Sequence, residues 1–304
     1  MNIKLENVNL KSNSGPNYFA RKLVDYLMMK GVTFNDKISY DVKLAFIESF
    51  AAKDNTPMVQ RLDGIYFNSN FNCKQMNYNI QKTYENSNGV IFQTHFNKEL
   101  TFNWFGKHSN YTVINNGYDK IKLLNFKFNK SISENFKNYD NIWACAASWH
   151  PYKRLKENIN FFIDHAGEND CLLVCGSSVD YTVEQDNIYY LGNLNLDDLY
   201  TVYEISKYFL HLAYLDHCPN VVVDAKAKGC QIICSSSGGT KEIAGLDATI
   251  VLEDDWDFSF INNSAPPPLD FTQQTNNNHE SSQSMSKTTK LYQEFLRKTI
   301  KGGE

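Results

Sequence analysis

Short runs rich in β-branched and aromatic residues alternate along the chain with longer stretches in which apolar residues recur every three or four positions. That order predicts parallel strands joined by crossover helices, an α/β class. In the first half the runs predict strands near 2–9, 42–49, 57–63, 89–93 and 111–115. Phe19, Leu23 and Leu27 fall at i, i+4 and i+8 on one face of a helix that starts after Gly15-Pro16, with Gly31 as its stop. From 118 to 140 the pattern loses its period, and a domain junction is expected there. A second series then predicts strand 142–147, helix 154–165, strands 171–176 and 188–191, helix 195–206, strand 209–214, helix 219–228, strand 231–235 and a short helix from about 240.

Two successive open α/β units are the expected outcome. The expected organisation is an N-terminal Rossmann-like domain over 1–125 and a C-terminal one over 126–260. Beyond these, NNSAPPP and TQQTNNNHESSQS are too polar to bury anything and predict a polar linker over 261–286. The last segment, 287–304, places Leu291, Phe295 and Ile300 on one side of a basic helix expected to pack back on the body.

Composition narrows the function classes. With 30 basic and 34 acidic residues the net charge is −4, so no general basic field exists to hold a polyanion and a nucleic-acid partner is disfavoured. The seven cysteines form no C-x-x-C pair and no zinc spacing, which fits reduced thiols in a cytoplasmic setting. The start, MNIKLENVNLK, lacks the apolar stretch of a signal peptide, and no apolar run reaches the roughly 18 residues that span a bilayer. Peripheral membrane contact through the tail helix stays open.

The chemistry concentrates in the second half. In YLDHCPNVVVDAKAKG, Asp216 follows a strand, Pro219 suits a first helical turn, and Asp224 comes eight positions after Asp216. Carboxylates accept hydrogen bonds from vicinal hydroxyls, and the helix start at Pro219, Asn220 and Val221 offers amides to a phosphate. Gly238, Gly239 and Thr240 lie between a strand and a helix, where glycine lets backbone amides approach an anion. Lys153 and Arg154 stand at the carboxyl end of strand 142–147, the crevice side of an open sheet. The acidic pairs Asp197-Asp198 and Asp254-Asp255 follow no catalytic strand and read as solvated surface.

The order Lys153-Arg154, LLVCG at 172–176, the acid-x7-acid pair and GG-x-x-E at 238–242 resembles family 4 of the glycosyltransferases, with the GT-B fold. Gly15 at the helix start, TPMVQRLDG at 56–64, SNGVIFQT at 87–94 and VINNGYD at 113–119 are similar to that family's landmarks in the same order. The resemblance covers about residues 1–250. It implies two Rossmann-like domains facing across a cleft and transfer of a sugar, with retention, from a nucleotide-diphosphate donor such as a UDP- or GDP-sugar to an acceptor hydroxyl. It implies no cofactor and no metal.

On that resemblance Asp224 binds the ribose, Asp216 contacts the donor sugar, and Lys153 with Arg154 neutralises the diphosphate. The amides around Gly238, Gly239 and Thr240, with Gly15, complete the cradle. Where many family members carry a histidine, this chain offers Asp63, as catalytic residue or on the acceptor side with His95. Two departures stand out. Both acids are Asp rather than Glu, and Trp149 stands where an arginine is usual, so the second cation is expected at Arg154. These departures keep open a catalytically silent binding module, and a nucleotide-sugar epimerase of the same fold is a further alternative.

Overall fold

The hydrophobic runs of the first half become five parallel strands, β1 (Ile3–Glu6), β2 (Val42–Phe46), β3 (Met58–Leu62), β4 (Gly89–Phe92) and β5 (Tyr111–Val113), paired in that order. The protein is described here from a computed structural model covering residues 1–302 except 13, 36, 53, 281 and 282. It divides into two compact units. One comprises Met1–Gly117 with Phe258–Ile261 and Gln283–Glu304, the other Tyr118–Asp257 with Asn262–Ser282. The division thus falls at Gly117/Tyr118, ahead of the expected 125, and the chain returns to the first unit twice.

In the first unit, helix α1 (Gly15–Met29) follows β1, α2 (Cys73–Asn86) follows β3, and α3 (His95–Phe105) follows β4. Strand alternation sorts them onto two faces. Phe19, Leu23 and Leu27 of α1 share a core with Leu44, Phe46, Val59 and Ile91. On the opposite face Gln60 donates to Ile80 O of α2 at 3.2 Å, and Phe92 meets Phe102 of α3 edge-on at 5.6 Å. After α1 the chain makes a parallel bridge, Asn2 to Thr33, before it reaches β2. Thr33 exchanges backbone bonds with Met1 and Ile3, so strand order reverses between β1 and β2 and the sheet is doubly wound.

A short strand, β6 (Gly117–Tyr118), stands where the division falls. The sheet of the second unit contains β7 (Ile142–Ser148), β8 (Cys171–Ser177), β9 (Ile188–Gly192), β10 (Tyr208–His211), β11 (Gln231–Ser235), β12 (Thr249–Val251) and β13 (Gln274–Asn276). The spatial order is β13-β12-β11-β10-β7-β8-β9, all parallel except β13. The helices are α4 (Lys120–Asn125), α5 (Lys130–Phe136), α6 (Leu155–His165), α7 (Leu196–Ile205), α8 (Asn220–Ala227) and α9 (Lys241–Ala244). Helix α6 packs on Trp143, Cys145, Leu172 and Val174, while α7 and α8 pack on the alternate face through Ala144, Ala146, Leu173 and Phe209. The chain therefore turns from one face to the other at β7, whose neighbours are β8 and β10.

Two segments depart from the expectations drawn from sequence. Within 118–140 the chain forms α4 and α5, opened by Asp119 and Asn129, whose carboxylate or amide oxygens accept from the first-turn amides. Each helix buries a single apolar side chain, Leu123 or Phe136, too few to establish a period. The expected linker 261–286 is instead partly ordered on the second unit. Gln274–Asn276 adds to β12 antiparallel, and Phe271 packs edge-on against Phe161 at 5.2 Å.

The C-terminal helix α10 (Met285–Lys301) lies against α1, burying Met285, Tyr292, Phe295 and Leu296. Arg61, wholly buried on β3, donates through Nε to Tyr292 Oη at 3.0 Å and stacks over Phe19 at 4.1 Å. Among the described residues no helix is long and apolar enough to cross a membrane.

Candidate active site

Two loops leave the carboxyl edge of the second sheet at its switch point, one after β7 and one after β10. The first passes through a 3-10 turn at Pro151–Lys153 and the second carries Asp216. The loops are tied together, because Tyr214 N–H donates to Tyr152 O at 2.7 Å. Leu215 takes a left-handed φ of +54°, and its N–H donates to Ser237 Oγ at 3.2 Å. The turn this produces brings Asp216 back over the end of β10.

There Asp216 Oδ2 accepts from Lys153 Nζ and from His211 Nε2, the latter at 2.8 Å. Its Oδ1 accepts from the backbone N–H of His217 at 2.9 Å. Burial alone would raise the Asp216 pKa, but Lys153 and His211 outweigh it and hold the carboxyl far below the usual range. Burial works equally against the Lys153 ammonium, and Asp216 reverses that, leaving its pKa above the ordinary lysine value. Burial lowers the pKa of His211 against the pull of Asp216, and brings His217 to about 4. At neutral pH the cluster is therefore one cation, one carboxylate and two neutral imidazoles.

The glycine loop braces this turn. Gly238 has φ +74°, and a Cβ there would lie 2.5 Å from Asp216 O and 2.8 Å from Asp216 N. Only glycine permits both the dihedral and the approach. Gly239 N–H donates to Asp216 O at 2.7 Å, which corrects the expectation that this amide faces a phosphate. Thr240 is buried ahead of the four-residue helix α9. Asp224 is buried on α8, the helix that starts at Asn220 and Val221 with Pro219 at its cap.

Arg154 does not lie where the sequence pattern suggests. With φ +52° it turns inward, is 1% exposed, and grips Glu253 bidentately at 3.0 and 2.7 Å. It also donates to Pro267 O at 2.8 Å, anchoring the polar segment after residue 262. A buried arginine with that partner set is a structural ion pair, so Lys153 alone supplies the cation of the expected pair. Trp149 is likewise internal, donating to Cys175 O at 3.0 Å.

In the first unit, Gly15 is the first residue of α1, which begins after the end of β1 at that sheet's switch point. Asp63 follows β3, and its carboxylate is held by Arg61. Its carbonyl accepts from Gln93 Nε2 at 2.9 Å. His95 is exposed at the start of α3, where Thr94 rather than the histidine caps the helix. The residue that sequence reasoning misses is His211. Its one signal is a polar side chain inside the apolar run FLHLAY.

Residues 130–257 match the family described as glycosyl transferases group 1. No curated protein matches the sequence. Among solved structures the chain is similar to sucrose-phosphate synthase from Thermosynechococcus elongatus, at 11% identity and TM-score 0.62 over 99% of this chain and 98% of that one. It is similar to Anabaena HepE in complex with UDP-glucose, at 13% identity and TM-score 0.59 over 100% and 92% of the two chains. A glycosyltransferase from Rickettsia africae aligns at 13% identity and TM-score 0.61 over 99% and 93%. The fold is GT-B, and the second unit carries a group 1 domain.

Proposed function

We propose that the chain is a retaining, metal-independent glycosyltransferase of family 4 type, moving a sugar from a UDP- or GDP-linked donor to an acceptor hydroxyl. The observation that carries this reading is the Lys153–Asp216 pair at the switch point of the group 1 domain, where open α/β sheets bind ligands. The UDP-glucose bound by HepE supports a nucleotide-sugar donor.

In this reading Lys153 keeps one N–H on Asp216 and offers the others to the diphosphate, supplying the positive charge that a metal supplies elsewhere. Asp216 and Asp224 take hydroxyls of the sugar and ribose. The helix start at Pro219, Asn220 and Val221 and the turn at Gly238 and Thr240 line the donor. Gly15 completes the donor cradle, and Asp63 and His95 belong to the acceptor side. The acceptor enters on the face the diphosphate vacates, and the departing oxygen takes its proton. The setting is cytoplasmic, and membrane contact, where it occurs, is peripheral.

Thermal shifts with UDP- and GDP-sugars identify the donor, since ligand at about 100 times its dissociation constant adds about 2.7 kcal/mol. NMR of the product formed in EDTA then decides the reaction. A glycoside, or free sugar released with its anomeric configuration kept, supports the proposal. An altered nucleotide sugar would point to an epimerase, binding without product to a silent module, and loss of turnover in EDTA to a metal enzyme.

A further inference from the structure

Two side chains share Oδ2 of Asp216, and they differ in what holds them. Lys153 stands on a short turn at the sheet edge, and its ammonium is on a stem of four rotatable bonds with three donors. His211 is the last residue of β10, is 3% exposed, and has its backbone fixed in register with Cys234 of β11. A carboxylate only accepts hydrogen bonds, so the 2.8 Å contact requires the proton on His211 Nε2.

We infer that His211 is the positioning residue of the site: its Nε2–H fixes the Asp216 carboxylate in one orientation while Lys153 turns its ammonium toward the donor diphosphate. The role rests on the donor site proposed above. The charge balance makes such a residue necessary. Asp216 is 13% exposed, and in the free protein Lys153 compensates its charge. A diphosphate draws on that same ammonium, and the carboxylate then depends on the donors that stay in place, His211 Nε2 and His217 N–H. Those two bind different oxygens, so together they fix the plane of the group as well as its charge. The groups facing His211 and this carboxylate are Lys153 from the turn after β7 and Asp216 and His217 from the loop after β10, with Tyr152 beside Lys153.

The first test needs no activity. Long-range 1H–15N spectra of the full chain are expected to show His211 as the neutral Nε2–H tautomer at pH 7, and an Nδ1–H tautomer or a charged ring overturns the inference. The second test uses turnover of the wild type with its donor. His211→Leu is expected to lower kcat about 10-fold or more, with donor KM within about 3-fold, because one hydrogen bond to a charged group is lost. His211→Gln, which keeps an N–H at similar reach, restores most of kcat. An unchanged kcat in His211→Leu, or no recovery in a folded His211→Gln, overturns the inference while a transferring wild type leaves the donor site standing. A wild type without transfer overturns the donor site, and with it this role.

Discussion

Lys153 and Asp216 are 63 residues apart in the chain and form an ion pair because β7 and β10, which deliver them, are neighbours in the sheet. Strand order reverses at this point, where open α/β sheets bind ligands, and the loops after the two strands are joined there by the Tyr214–Tyr152 bond. Both partners are mostly buried, at 15% and 13% side-chain exposure. Removing either leaves a charge with fewer contacts than burial demands.

Lys153→Met is expected to lower kcat/KM about 10- to 100-fold, the equivalent of one charge-assisted hydrogen bond of about 1.5–3 kcal/mol. Lys153→Arg keeps the charge but not the compact ammonium, and falls between. Steady-state kinetics on variants with native circular dichroism check this, and wild-type turnover in a folded Lys153→Met would remove the lysine from the donor site.

Gly238→Ala is expected to cost about 1–3 kcal/mol of stability and to reduce turnover more than the stability loss explains. The added Cβ meets the Asp216 backbone, which cannot rotate away as a side chain could, and the φ of +74° is strained for alanine. The turn that aims Asp216 must shift. Urea unfolding and kinetics on the same preparation separate the two effects. Equal stability and turnover would show that the loop accommodates the methyl group.

Most strands of the second unit are legible because a parallel sheet covered on both faces reads as apolar runs, as in IWACAA and CLLVCG. The run FLHLAY reads as a strand to 214, yet β10 stops at His211. Leu212 N–H donates to Asn158 Oδ1 at 3.1 Å and Tyr214 N–H to Tyr152 O, partners outside the sheet that no local pattern announces. The same limit separates Lys153 from Arg154. Adjacent cations look alike in sequence, but the left-handed turn at Arg154 sends one to the site edge and the other into the interior toward Glu253. Asp216 and Gly238 are readable as site candidates, whereas the bracing of one by the other is a long-range contact that spacing does not reveal.

Arg154→Met is expected to destabilise the chain by about 3–5 kcal/mol by stranding the Glu253 carboxylate, and Glu253→Met by stranding the guanidinium. The double variant should lose less than the two costs summed, with a coupling of about 1–3 kcal/mol. Denaturant unfolding of all four proteins completes the cycle. Strict additivity would mean that the bidentate contact contributes nothing.

Stability should fall in acid in two stages with different origins. His217, at about 4 in the folded chain, and His211, also lowered, stay neutral where the unfolded chain is already protonated near 6.5. The unfolded state then binds more protons, so stability declines as pH falls from about 6.5 to about 4. The loss is a few kcal/mol, at about 1.4 kcal/mol for each pH unit over which one histidine resists protonation. Asp216 acts lower down. Its folded pKa is depressed, so its contribution is complete above the unfolded value near 3.9 and is lost as pH drops further. His217→Asn should flatten the first stage and leave the second. Urea midpoints measured from pH 7.5 to 3 test the assignment, and a variant whose first stage is as steep as that of the wild type would exclude His217 as its source.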